Sequence, residues 1–202
     1  MTHPEDFVNP LSCNVRRFFV IIIVMEVLTL ENKADSEKDR CLRQKAAPVK
    51  DINDELKQTA QEMFQAMHNG KGIGLAGPQV GLLKRIFVTH TERDEPRVFI
   101  NPSIIWTSQE QLTCEEGCLS LPGLYADVKR PGRIKVQAWN EKGRAFTMEV
   151  SGMLARVIQH EYDHLEGILF IDRISEVKRE KLFAKMSRKA EKESGGHSLL
   201  LR

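Results

Sequence analysis

The stretch Gln159-His160-Glu161-Tyr162-Asp163-His164 constrains this chain more than any other. It lies inside an apolar-periodic run from Met153 to Phe170, in which Leu154, Val157, Ile158, Leu165 and Ile168 read as a buried stripe. On such a helix His160 and His164 fall about one turn apart on one face, so both imidazoles can reach a single cation. Glu161 follows the first histidine directly, where its carboxylate can touch a water on that cation. Two surface histidines on an amphipathic helix would explain the spacing but not the placed glutamate. A helix that buries one side and offers a metal site on another belongs at the centre of a fold.

The 202 residues suffice for one domain with a proper core. A formal net charge of +2 with 29% charged residues gives no global basic field, so specific DNA binding is not expected. Four cysteines (Cys13, Cys41, Cys114, Cys118) are too few for a disulfide framework and point to a reducing compartment. Arg16-Arg17 and the apolar run Phe18 to Met25 have the outline of a signal peptide. Glu26 interrupts that run, no small-residue cleavage site follows, and the run is far short of the roughly 20 residues of a membrane span. The preferred reading is that Met25 is the initiator and residues 1–24 an extension, which amino-terminal sequencing of the native protein tests.

Pattern and turn signals give the remaining elements. Glu26 to Leu30 suits a short strand, and the charged segment Glu31 to Arg40 a solvated loop. Asp51 or Asn53 caps a helix with Ile52, Leu56, Ala60, Met63, Phe64 and Met67 on its apolar face, ending at Asn69-Gly70. Short alternating strands are expected at Arg85–Thr89, Arg97–Asn101, Ile104–Thr107, Tyr125–Lys129, Ile134–Trp139 and Ala145–Val150. A last helix runs from about Ser175 to Glu191. Its apolar side carries Val177, Leu182, Phe183 and Met186, and its basic side Lys178, Arg179, Lys181, Lys185, Arg188 and Lys189. Strands segregated from helices predict an α+β fold, with mixed or antiparallel sheets wrapped around the histidine helix, an N-terminal helix and a C-terminal helix. The corresponding organisation is an extension (1–24), a catalytic domain (25–172), a C-terminal helix packed on or projecting from it (173–193) and a flexible tail (194–202).

The third ligand is open at this level. The extended metalloprotease pattern has its glycine at Gly167 but Phe170 where its third histidine would stand. A distant glutamate is a second candidate. A thiolate from Cys114 or Cys118 is a third, and Cys118 lies in the tight run Glu115-Glu116-Gly117-Cys118-Leu119-Ser120-Leu121-Pro122-Gly123. Both cysteines with both histidines would make a closed structural zinc site, which gives Glu161 no task. The glycine-rich Gly72-Ile73-Gly74-Leu75-Ala76-Gly77-Pro78-Gln79-Val80-Gly81 lacks the lysine of a phosphate loop. Its glycines suit close approach of a peptide backbone, with Ile73, Met153 and Val157 as candidates for an apolar side-chain pocket. Arg130 and Glu116 are expected to pair and brace the cysteine segment.

Three stretches resemble the signature motifs of the peptide deformylase family, in that family's order. They are Gly72 to Gly81, Glu116-Gly117-Cys118-Leu119-Ser120, and Gln159 to His164. The similarity extends from about Met25 to the last helix and is closest to the bacterial type. Gly77 departs from it, since alanine is usual there, and a looser backbone is expected at that position. The resemblance implies that Cys118, His160 and His164 hold the metal, with a water as nucleophile in the fourth position. It implies that Glu161 is the general base and acid, that the Gln79 side chain and Leu119 N–H stabilise the oxyanion, and that the Gly74 backbone contacts substrate. It further implies Fe2+, replaceable by Zn2+, Ni2+ or Co2+. The activity would be removal of the formyl group from N-formylmethionyl nascent chains in the cytoplasm, with possible ribosome contact through the basic C-terminal helix.

Overall fold

The computed structural model describes residues 25–30, 36–92 and 94–184. Readings that fall on residues 1–24, 31–35 or 185–202, including Lys185, Met186, Arg188 and Lys189, lie outside the described residues. Seven strands, β1 (Gly74–Ala76), β2 (Ile86–Thr89), β3 (Arg97–Thr107), β4 (Gln111–Cys118), β5 (Leu121–Pro131), β6 (Arg133–Trp139) and β7 (Ala145–Ser151), form two antiparallel sheets. One has the order β1-β2-β3-β6-β7, and the other is the hairpin β4-β5. The helix expected at the centre is α3 (Gly152–Leu165), with α1 (Glu37–Arg43) and α2 (Asp54–Asn69) preceding the sheets. Among the described residues no helix is long and apolar enough to cross a membrane.

The α+β architecture follows from how each element buries its apolar side. Ala155, Ile158 and Leu165 of α3 pack with Phe87, Phe99, Ile134 and Val136 of the large sheet in the principal core. On α2, Asn53 caps the first turn by accepting from Leu56 N–H, and Met63 and Met67 bury against Leu75, Ile86 and Val88. A third cluster joins Leu121, Leu124 and Val128 of the hairpin to Leu169, Phe170 and Ile171. Leu182 and Phe183 from the helical stretch 176–184 pack on this cluster, whereas Val177 is exposed.

Several expectations change. Arg97–Asn101 and Ile104–Thr107 are one strand, β3, which passes the apparent Asn101-Pro102 break through register shifts. Asn101 takes φ of 49°, and its side chain bonds both the N–H and the C=O of Val49, which fixes the kink. Within the charged segment, residues from Glu37 onward form α1 rather than a solvated loop. Ser36 caps it, the buried Leu42 anchors it, and Arg43 pairs with Asp172. Residues 25–30 belong to no strand, but Leu28 and Leu30 each donate a backbone hydrogen bond. β1 and β4 were not anticipated: Gly74–Ala76 and Glu115–Cys118 lie in the motif segments, and the exposed Gln111–Cys114 shows no burial alternation.

Candidate metal centre and active site

Three side chains from distant parts of the chain converge. Cys118 ends β4 at the two-residue turn Leu119-Ser120, while His160 and His164 project from α3. Their ligand atoms all lie within 4.8 Å of one another, and Cys118 Sγ is 3.2 Å from His164 Nε2. A thiolate with two imidazoles fits a transition-metal cation such as ferrous iron or zinc, not magnesium or calcium. Three protein ligands leave a coordination position open. Among the described residues, Glu161 Oε2 and His164 Nδ1 are buried polar atoms without a hydrogen-bond partner, one on the neighbouring glutamate and one on a member of the group. Cys114 is exposed on β4 and stands outside the group, so the closed four-ligand zinc site is not formed.

A buried charge network orients the first histidine. Glu116 accepts from Arg130 Nε at 2.7 Å and Arg130 Nη2 at 2.9 Å, from Arg156 Nη1 at 2.7 Å, and from His160 Nδ1 at 3.0 Å. The bond from Nδ1–H leaves Nε2 of His160 as the lone pair facing the cluster. Arg130 Nη1 continues to Asp163 at 2.7 Å, and Arg173 Nε reaches the same carboxylate at 3.0 Å. The expected Arg130–Glu116 pair is therefore present as a fork, within a wider network. Arg156 and Asp163 were missed as members. Position 156 lies four residues before His160, on the same helix face, and an arginine there inside an apolar stripe was the available signal.

Electrostatics follow from this burial. Burial disfavours charge on Glu116, but hydrogen bonds from His160 and Arg130 outweigh it and hold the carboxyl well below the usual range. Burial also disfavours protonated His160. Its bonds to Cys118 and Glu116 prevail and push it up to about 10, so a cation taken up here would have to displace a proton. His164 is lowered well below the ordinary histidine value by burial and by the charge of His160. Burial, reinforced by Glu116 and Asp163, raises Glu161 to about 7, which suits proton exchange near neutrality.

Gln79 lies in the 3-10 turn Gly77–Val80, almost fully buried. Its Oε1 accepts from Ala76 N–H at 2.8 Å, and this turns Nε2 toward Cys118 Sγ (3.4 Å) and Ser120 Oγ (3.3 Å). A Cβ at Gly74 would come 2.3 Å from Glu161 Oε1 and 2.8 Å from Val157 Cγ1, so its bareness makes room for the glutamate. Gly77 is tight rather than loose, because a Cβ would meet Leu82 O at 2.6 Å and Lys84 O at 2.8 Å.

These groups open on one cavity of about 600 Å³, lined among others by Gln79, Cys118, Leu119, Val157, His160 and Glu161. Ile73, Gly74 and Met153 line it too. Val157 is buried at 6% exposure, whereas Ile73 (39%) and Met153 (57%) stand at the rim. Two further lining residues were not anticipated from sequence, the exposed Tyr125 at the rim and the buried Leu124. A second groove, about 450 Å³ against Gln137, Trp139 and Phe146, has no titratable side chain in its lining.

The sequence model of the family described as polypeptide deformylase matches residues 30–180. The chain belongs to the peptide deformylase family. Peptide deformylase 1 of Clostridium perfringens is 53% identical over 135 residues, which are 66% of this chain and 91% of that protein. Peptide deformylase of Treponema pallidum is 48% identical over 140 residues, 69% of this chain and 86% of its own. Among solved structures, a peptide deformylase from Synechococcus elongatus, in complex with actinonin, superposes with a TM-score of 0.73. It is 43% identical and covers 80% of this chain and 85% of its own. The peptide deformylase of Thermotoga maritima gives a TM-score of 0.69 at 39% identity, over 75% and 98%. The deformylase motifs on this chain are thus carried by an α+β fold of that family, whose members are metal-dependent hydrolases.

Proposed function

We propose that this chain hydrolyses the formyl amide at the N-terminal formylmethionine of newly made polypeptides, releasing formate and the free amine. The observation that carries the reading is the convergence of Cys118, His160 and the buried His164, beside a cavity that Cys118 and His160 line together with Glu161 and Gln79. Cys118, His160 and His164 would hold one divalent cation, Fe2+ in the native enzyme, with Zn2+, Ni2+ or Co2+ able to take its place. Such a cation, when bound, lowers the pKa of water and polarises the formyl carbonyl.

The protein's own groups supply the rest. Glu161 takes the proton from the attacking water and returns one to the leaving amine nitrogen. As the carbonyl oxygen gains negative charge, the Gln79 Nε2–H and the Leu119 N–H donate to it; loss of one such donor costs about 2.7–4 kcal/mol in other hydrolases. β1 is the edge strand of the large sheet, so the substrate backbone can add alongside Gly74 as a further strand. The methionine side chain would lie against Val157, with Ile73 and Met153 at the entrance.

Hydrolysis of formyl-Met-Ala-Ser by the cation-loaded protein tests this reading. Glu161→Ala is expected to abolish turnover with one cation per chain retained, and Cys118→Ala to lose both. Cleavage of internal peptide bonds that survives Cys118→Ala would instead identify a peptidase with an acidic third ligand. A cytoplasmic location follows from the substrate. The exposed Lys178 and Lys181 on the C-terminal helix support contact with the ribosome surface. Unchanged ribosome co-sedimentation of Lys178→Glu/Lys181→Glu would remove that part.

A further inference from the structure

Residues 25–30 link the two loops that carry Gln79 and Leu119. Leu28 N–H donates to the carbonyl of Gln79 at 2.7 Å, and Leu30 N–H to the carbonyl of Ser120 at 2.8 Å. In an extended chain the N–H groups of residues i and i+2 point the same way, so two donors two residues apart can grip two separate loops. The side chains are divided in the same manner. Met25 and Val27 pack in the cluster of Leu75, Val80 and Leu119, whereas Leu30 packs in the cluster of Cys118, Leu121 and Leu124. The two gripped loops meet again through side chains, where Gln79 Nε2 bonds Ser120 Oγ at 3.3 Å and Cys118 Sγ at 3.4 Å.

We propose that Met25–Leu30 is a positioning strap that fixes the Gln79 loop against the Leu119-Ser120 turn, and so sets the spacing of the two donors to the formyl oxygen. The inference rests on the oxyanion role of Gln79 and Leu119 given above. Both backbone hydrogen bonds of the strap end on the Gln79 and Ser120 carbonyls and neither on α3, so its action is assigned to the donor pair. An error of about 1 Å in such a constellation is enough to lower a rate 100-fold.

A proline scan of the full-length chain tests it, because proline removes one N–H while tolerating extended backbone. Leu28→Pro and Leu30→Pro are expected to lower kcat on formyl-Met-Ala-Ser at least tenfold, with KM within threefold and one cation per chain by elemental analysis. Thr29→Pro, at a position whose N–H has no backbone hydrogen bond among the described residues, is expected to stay within threefold in both parameters. A single glycine inserted after Thr29 keeps both N–H groups but lengthens the strap by roughly 3.3 Å. It is expected to lower kcat as the two damaging prolines do, and it serves also if a proline variant fails to fold. Unchanged kcat in Leu28→Pro, Leu30→Pro and the insertion overturns the proposal. So does an equal loss in Thr29→Pro, or a loss of bound cation that tracks the loss of kcat. A parent protein without deformylase activity sinks the functional reading, and the strap's catalytic role with it. An active parent with insensitive strap variants sinks the strap alone.

Discussion

Replacing Gly74 by alanine should disable the enzyme without touching a metal ligand. A methyl built on that backbone would lie 2.3 Å from Glu161 Oε1, 2.8 Å from its Cδ and 2.8 Å from Val157 Cγ1. Comfortable separations begin near 3.5 Å, so about 1 Å of movement is required. The strand cannot retreat far, since Gly74 pairs with Thr89 in β2 and Thr89 is buried. Glu161 has less to hold it, because its Oε2 bonds nothing else among the described residues. The carboxylate therefore moves, and a misplacement of about 1 Å in a proton-transfer group predicts roughly a 100-fold fall in kcat. Overpacking adds about 1–3 kcal/mol of destabilisation, visible as a Tm lowered by several degrees. The assay is kcat and KM on formyl-Met-Ala-Ser with metal content measured on the same samples. A rise in KM at unchanged kcat would mean that the methyl blocks substrate and leaves Glu161 in place. A kcat within threefold of the parent at full cation occupancy refutes the reasoning.

Arg130→Ala leaves Glu116 and Asp163 buried without their shared partner, which should destabilise the protein by about 3–5 kcal/mol in urea unfolding and weaken cation retention. Arg130→Lys should recover less than half of that, because an ammonium cannot make the two-pronged contact. Gly77→Ala installs the residue that the motif resemblance led one to expect. It should nevertheless lower stability by about 1–3 kcal/mol in a thermal melt, since Leu82 O and Lys84 O close the space a methyl would need.

The site was more legible in the sequence than the fold around it. The pairing of His160 and His164 with Glu161 is written in residue types that few other tasks require and stood out by itself, whereas Cys118, 42 positions before His160, was one of several candidate third ligands until the family resemblance selected it. β4 did not stand out. Its first five residues are exposed, and an exposed hairpin strand carries no alternating burial to betray it. The helix α1 was hidden for the opposite reason. Its seven residues are nearly all polar, and its place depends on one buried side chain, Leu42, and on tertiary partners such as Pro78 and Asp172. Backbone donors are not written in side chains at all. Nothing in the Leu28 or Leu30 identity announces that their N–H groups hold the Gln79 and Ser120 carbonyls.

The charge network behind His160 is better explained by orientation than by stability. Removing Glu116, Arg130, Asp163 and Arg156 from water is expensive, and replacing such groups by apolar ones of equal volume is often neutral or stabilising. What apolar residues cannot supply is an acceptor fixed 3.0 Å from His160 Nδ1. Glu116 is that acceptor, and its other lone pairs are taken by Arg130 and Arg156, so the carboxylate can neither rotate nor be protonated near neutral pH. Arg130 is held in turn by Asp163, one residue before His164 on the ligand helix. The hairpin that delivers Cys118 and the helix that delivers both histidines are thus joined by charged groups directly behind His160. A ligand set assembled from two separate elements requires such a join, and the cost of burying it is accepted where precision matters more than stability.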